Sequence, residues 1–116
     1  MADSSKKPAI LQGSLDMLIL QSLTSGTRHG YDIAKHLREA TEDFLQVEEG
    51  SLYPALYRLE RQKWISAQWG TSESNRKAKY YSLTAAGKKQ LQKEMTAWEK
   101  MSSAINLVLR FQPKEV

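Results

Sequence analysis

Leu91, Met95, Trp98, Ser102, Ile105 and Leu109 recur at intervals of 4, 3, 4, 3 and 4 residues. That spacing is the seam of a coiled coil, broken once by the hydroxyl of Ser102. Thr84 stands where an N-cap is needed, so the pattern predicts a helix over 84–109, about seven turns. Met101, Leu107 and Val108 broaden its apolar face. The whole chain has 116 residues, and what precedes this helix is too small to cover such a face. Much of it is therefore expected to pack on a second copy of the chain.

The preceding residues read as helix, helix, helix, strand, polar turn, strand. Leu11, Leu15, Leu18, Ile19 and Leu23 have helical spacing, and Met17 and Leu20 widen the stripe nearly all the way round, predicting burial on more than one side. Gly26 is suited to the turn that ends this helix. A second helix starts near Gly30, with Asp32 in its first turn and Ile33, Ala34 and Leu37 inward. Residues 41–49 carry four acids and no base but also Phe44, Leu45 and Val47, which predicts a packed connector or short strand. A third helix is expected over 51–62, with Ser51 as N-cap or first-turn residue and Pro54 in the first turn. Its wheel puts Leu52, Ala55, Leu56 and Leu59 inward, and Ser51, Pro54, Tyr57, Arg58 and Arg61 outward, with Tyr53 at the edge. Residues 65–69 alternate in polarity and 79–83 carry Tyr80 and Tyr81, so both read as strands around the polar tip GTSESNRK. Trp64 and Trp69 flank the first strand and read as core or edge packing.

Composition removes several functional classes. There is no cysteine, hence no disulfide, thiolate metal site or thiol nucleophile. His29 and His36 are the only histidines; neither has companions for metal binding or catalysis, and no glycine-rich phosphate loop is present. No enzyme, cofactor or metal is expected. The longest apolar stretch is interrupted by Asp16, far short of the about 20 residues that cross a membrane, and a cytoplasmic protein is expected. Residues 1–9 read as a flexible arm, 10–83 as the main domain, 84–110 as the dimerisation helix and 111–116 as a tail.

Charge points to a partner. The net charge is +4, and residues 50–80 hold six bases against two acids, so that segment alone equals the total. Three helices followed by a hairpin form a winged helix-turn-helix, in which the third helix fits the major groove and the hairpin lies beside it. The expected fold is thus mainly α with a small β-hairpin: a winged helix-turn-helix plus one long C-terminal helix.

HGY at 29–31, EGSLYPALYRLE at 49–60 and RKAKYYSLTAAG at 76–87 together resemble the PadR family of bacterial transcriptional regulators. The resemblance spans roughly residues 10 to 110, and a single C-terminal helix is similar to the short subfamily. It implies a homodimeric repressor that binds a roughly palindromic double-stranded DNA operator. Position by position, it implies DNA contacts from Ser51, Tyr53, Pro54, Tyr57, Arg58 and Arg61 in the third helix and from Arg76, Lys77 and Lys79 in the wing. It also implies that the last helix crosses to the partner's first helix, giving an interface of Leu15, Leu18, Ile19, Leu91, Met95, Trp98, Ser102, Ile105 and Leu109. Lys63 stands where the family usually has a glycine ending the third helix, and Ala78 interrupts the basic run of the wing.

Met95, Trp98 and Met101 are also the candidate walls of a pocket for a small aromatic or phenolic, drug-like effector. Arg58 is expected to face DNA, so that Arg58→Ala would weaken operator binding and relax base preference. Two other classes fit the same residues: a winged-helix module that binds an acidic protein, and a small-molecule binding protein built on the helix seam.

Overall fold

The computed structural model describes residues 12–114; the expectations for residues 1–9 and for Leu11 lie outside them. The elements run α1 (Gln12–Ser22), β1 (Arg28–His29), α2 (Gly30–Ala40), α3 (Glu49–Arg61), β2 (Ile65–Thr71), β3 (Lys77–Leu83) and α4 (Ala85–Arg110). This is a winged helix-turn-helix followed by a long helix. β1 joins the hairpin to make a three-stranded antiparallel sheet in the order β1-β3-β2. Arg28 pairs with Tyr81 and His29 with Tyr80, while Ile65 pairs with Leu83 and Thr71 with Lys77 across the wing. Two residues carry no period, which is why β1 is absent from the sequence reading.

One core unites the domain. Leu15, Ile19, Leu20 and Leu23 meet Ile33 and Leu37 of α2, Leu52, Ala55, Leu56 and Leu59 of α3, Ile65 and Tyr81 of the sheet, and Leu91 of α4. The inward face expected for α3 is the one buried. α1 is a central rod: Leu15, Ile19 and Leu20 are buried, and Met17 and Leu18 pack against the same cluster. Residues 41–48 form no strand. Leu45 and Val47 are half-buried there, but Phe44 is 59% exposed.

α3 starts two residues earlier than expected. Its N-cap is Glu48, which makes no side-chain capping bond; Ser51 lies in the first turn, and Pro54 lies inside the helix rather than in its first turn. Proline has no N–H, so the Gly50 carbonyl loses its intrahelical donor on an exposed face.

The end of α3 organises the rest. Trp64 N–H donates to the Leu59 carbonyl at 3.1 Å and Lys63 N–H to the Glu60 carbonyl at 3.0 Å, the paired bonds of a Schellman turn. Lys63 takes the left-handed position of that turn at φ 64°, a place glycine fills most easily. Thr84 closes on this turn from the other side. Its N–H donates to the Trp64 carbonyl at 3.1 Å. Its hydroxyl donates to the Lys63 carbonyl at 2.7 Å and accepts the Gly87 N–H at 3.0 Å, capping α4 as the sequence predicts. Gly87 sits so close that a Cβ there would fall on the Trp64 carbonyl.

α4 has 26 residues, about 39 Å of helix. Only its start is covered: Leu91 is in the core and Met95 packs on it, whereas Ile105 is 49% and Leu109 75% exposed. Leu15, Ile19 and Leu91 are thus filled by their own chain and offer no surface to a second one. The apolar surface left open runs from Trp98 through Met101 and Ile105 to Leu109.

Two substitutions test this junction by urea unfolding. Lys63→Gly relieves the left-handed strain and is expected to raise stability by about 0.5–1 kcal/mol. Gly87→Ala is expected to lower it by roughly 1–3 kcal/mol through overpacking. Equal stability for all three proteins would show that the junction carries no strain.

Candidate nucleic-acid interface

The exposed face of α3 carries Ser51, Tyr53, Pro54, Tyr57 and Arg61. Tyr57 is 61% exposed, and the Arg61 guanidinium lies 5.7 Å from its ring centroid. Residues 57 and 61 are one turn apart, so the pair presents a flat cationic edge along the helix. Tyr53 is half architectural. Its ring lies against Gly30, where a Cβ would come within 2.9 Å of it, so it ties the start of α3 to the start of α2.

Arg58 departs from expectation. Its Nη2 donates to Asp16 Oδ1 at 2.8 Å, joining α3 to α1 across 42 residues of sequence. It points toward α1 and not outward with Tyr57. The side chain of Asp16 is only 16% exposed. Burial pushes its carboxyl up, and the Arg58 hydrogen bond and charge pull it back. Removing Arg58 would strand a largely buried carboxylate, so a loss of binding in Arg58→Ala is not by itself a sign of DNA contact.

The wing bases also divide. Lys79 Nζ donates to Glu60 Oε1 at 3.1 Å, and that bond holds its pKa above the usual lysine value. Lys79 therefore links the wing to α3. Lys77 stands 5.2 Å from the ring centroid of Trp69. Trp69, expected in the core or at its edge, is 61% exposed. Arg76 is exposed at the foot of the wing loop, which is closed by Ser72 N–H donating to the Arg76 carbonyl at 2.7 Å and by Asn75 at φ 61°. Arg61, Lys63, Arg76 and Lys77 have no ion-pair partner among the described residues.

Between the wing and the starts of α2 and α3 lies an open groove of about 1080 Å³, lined by His29, Tyr31, Lys35, Tyr53, Trp69, Arg76 and Lys77 among others. His29 Nδ1 accepts the Asp32 N–H at 3.1 Å, capping α2, and its ring meets Tyr80 edge-on at 5.6 Å. Tyr31 is 66% exposed beside it. Tyr31, Lys35 and Trp69 were not assigned to this surface by sequence. Tyr31 falls on the polar side of α2 next to a basic segment, which was the available signal.

A second, smaller hollow of about 340 Å³ lies between α1 and α4, lined by Gly13, Ser14, Met17, Glu94, Ala97 and Trp98. Of the expected effector residues only Trp98 lines it. Met95 packs inward on the core, and Met101 is 59% exposed away from the hollow. Glu94 went unremarked in the sequence. Its Oε2 is buried with no hydrogen-bond partner among the described residues. Burial pushes its carboxyl up, Gln90 draws it down, and the charge of Asp16 pushes it up again. Among the described residues no cluster of three or more histidine, acidic or cysteine side chains could hold a metal ion, and no helix is long and apolar enough to cross a membrane.

A helix-turn-helix with a wing and a basic, aromatic outer face defines a class of transcriptional regulator. Residues 19–93 match the model of the transcriptional regulator PadR-like family. The chain belongs to that family, which is one of regulators and not of enzymes. A solved structure of a transcriptional regulator from Clostridium thermocellum is similar at TM-score 0.76 and 33% identity, covering 82% of this chain and 92% of that one. A PadR-like transcriptional regulator from Bacillus cereus is similar at TM-score 0.74 and 31% identity, covering 88% and 97%. The negative transcriptional regulator PadR of Bacillus subtilis is 30% identical over 77 residues, which span 66% of this chain and 42% of that protein.

Glu94 yields a pH prediction. Its folded pKa lies above the ordinary 4.5, so its buried charge opposes folding above the folded value. That penalty fades as pH falls through the folded value toward the ordinary one. Glu94→Gln is therefore expected to melt at a higher temperature than the parent at neutral pH, with the gap closing near pH ~4. A gap of the same size at both pH values would contradict the burial argument.

Proposed function

We propose that the chain is a homodimeric, sequence-specific repressor that binds a roughly palindromic duplex operator through α3 and the wing. The observation that carries this reading is the sorting of its bases. Arg58 and Lys79 are spent on the fold, while Arg61, Lys63, Arg76 and Lys77 are left unpaired among the described residues on the α3–wing side with Tyr57 and Trp69. Unpaired bases beside exposed aromatics suit phosphate contact and base-edge contact together. The direct contacts are assigned to Ser51, Tyr57, Arg61, Arg76 and Lys77, with Tyr53 and Pro54 setting the entry of α3 and Lys79 holding the wing to it.

The open apolar surface of α4, from Trp98 to Leu109, supports pairing of two copies through their long helices. Each head then meets one half-site, with centres about 34 Å apart. Repression is supported by the similarity to a negative regulator. Such a protein acts in the cytoplasm. The hollow beside Trp98 favours one added element, a small aromatic effector that binds one arrangement of the long helices better than another and shifts operator affinity by no more than that difference.

The test is titration of the duplex spanning the promoter of its own gene against a scrambled duplex, at two salt concentrations. A preference of about 10³-fold or more is expected for the promoter. Arg61→Ala is expected to weaken binding and to reduce the salt slope by about 1. Equal binding to both duplexes would overturn the reading in favour of a module for an acidic protein. Tight binding of small aromatics with no duplex binding would turn it into a small-molecule binding protein.

A further inference from the structure

Among the described residues the ion pair between α1 and α3 is the one directed link between two helices that otherwise meet through buried aliphatic side chains. Apolar contact is non-directional and leaves a helix free to turn a little about its axis. A guanidinium bond is directed and fixes that rotation. Arg58 follows Tyr57 directly and precedes Arg61 by one turn, so any roll of α3 that moves Arg58 carries the outward pair with it. Asp16 is largely buried, and its Oδ1 accepts the Arg58 guanidinium at 2.8 Å.

We infer that Asp16 is the positioning residue for the DNA-reading helix: through Arg58 it fixes the rotation at which α3 presents Tyr57 and Arg61. The inference rests on the DNA-binding reading above.

The experiment is the same promoter and scrambled-duplex titration, run on Asp16→Asn and Arg58→Ala, with Arg61→Ala as the contact control. Asp16→Asn and Arg58→Ala are expected to lose promoter affinity by about tenfold and to narrow the promoter-to-scrambled ratio, both keeping the parent's salt slope. A strut that served only stability would leave that ratio unchanged in the folded protein. If Asp16→Asn does not fold, Asp16→Glu keeps the charge but displaces the guanidinium, and a smaller loss in the same direction is expected.

Two results would overturn the inference. The salt slope of Arg58→Ala could fall by about 1, as for a phosphate contact. Both Asp16 variants could bind as tightly as the parent. Failure of the underlying reading has another signature, since the parent itself would then bind both duplexes alike and Arg61→Ala would change nothing.

Discussion

The basic, aromatic face of α3 and the wing is oriented by the turn that ends α3. Lys63 adopts a left-handed conformation there, Trp64 swings into the core, and the chain reverses into β2. Thr84, arriving from β3, bonds to the carbonyls of both residues and caps α4 with the same hydroxyl. α3, the wing and the long helix therefore share one hydrogen-bonded knot. A left-handed lysine costs about 1 kcal/mol or more against glycine. Three well-made bonds and a half-buried indole packed against the core offset it, which is why the turn persists without the residue best suited to it.

That knot explains why two charged pairs do structural work on a surface otherwise suited to nucleic acid. The wing leaves the junction as a two-stranded ribbon, and Lys79–Glu60 stops it from swinging off α3. α3 leaves the same junction toward its own N-terminus, and Arg58–Asp16 holds it to α1. Exposed ion pairs contribute little to stability, but both of these are partly sheltered and both define angles between elements. The bases left over are those beyond the reach of any described acid.

The helical wheel and the strand alternation were enough to read the architecture. Leu52, Ala55, Leu56 and Leu59 are buried as their spacing demands, and Thr84 caps the last helix. The details that escaped depend on contacts distant in sequence. The wheel puts Arg58 outward, and only Asp16, 42 residues away, turns it toward α1. Glu94 is an ordinary polar residue on its own helix and is sheltered only when α1 lies across it. Pro54 was placed a turn too early because Glu48 caps α3 without the side-chain bond that marks a start. Trp69 looked like a core residue because alternation continues past the end of the core. The open face of α4 is legible from its seam, but the division between Leu91, covered at home, and Leu109, left bare, depends on which part of α4 meets the core cluster.

The central claim is that two such heads, joined through α4, read one duplex with α3 and the wing. Hydroxyl-radical footprinting of the parent protein on the promoter of its own gene tests it most directly. Two protected patches on one face of the duplex, with centres about one helical turn apart, are predicted. A single patch, or uniform protection along the duplex, would contradict the account.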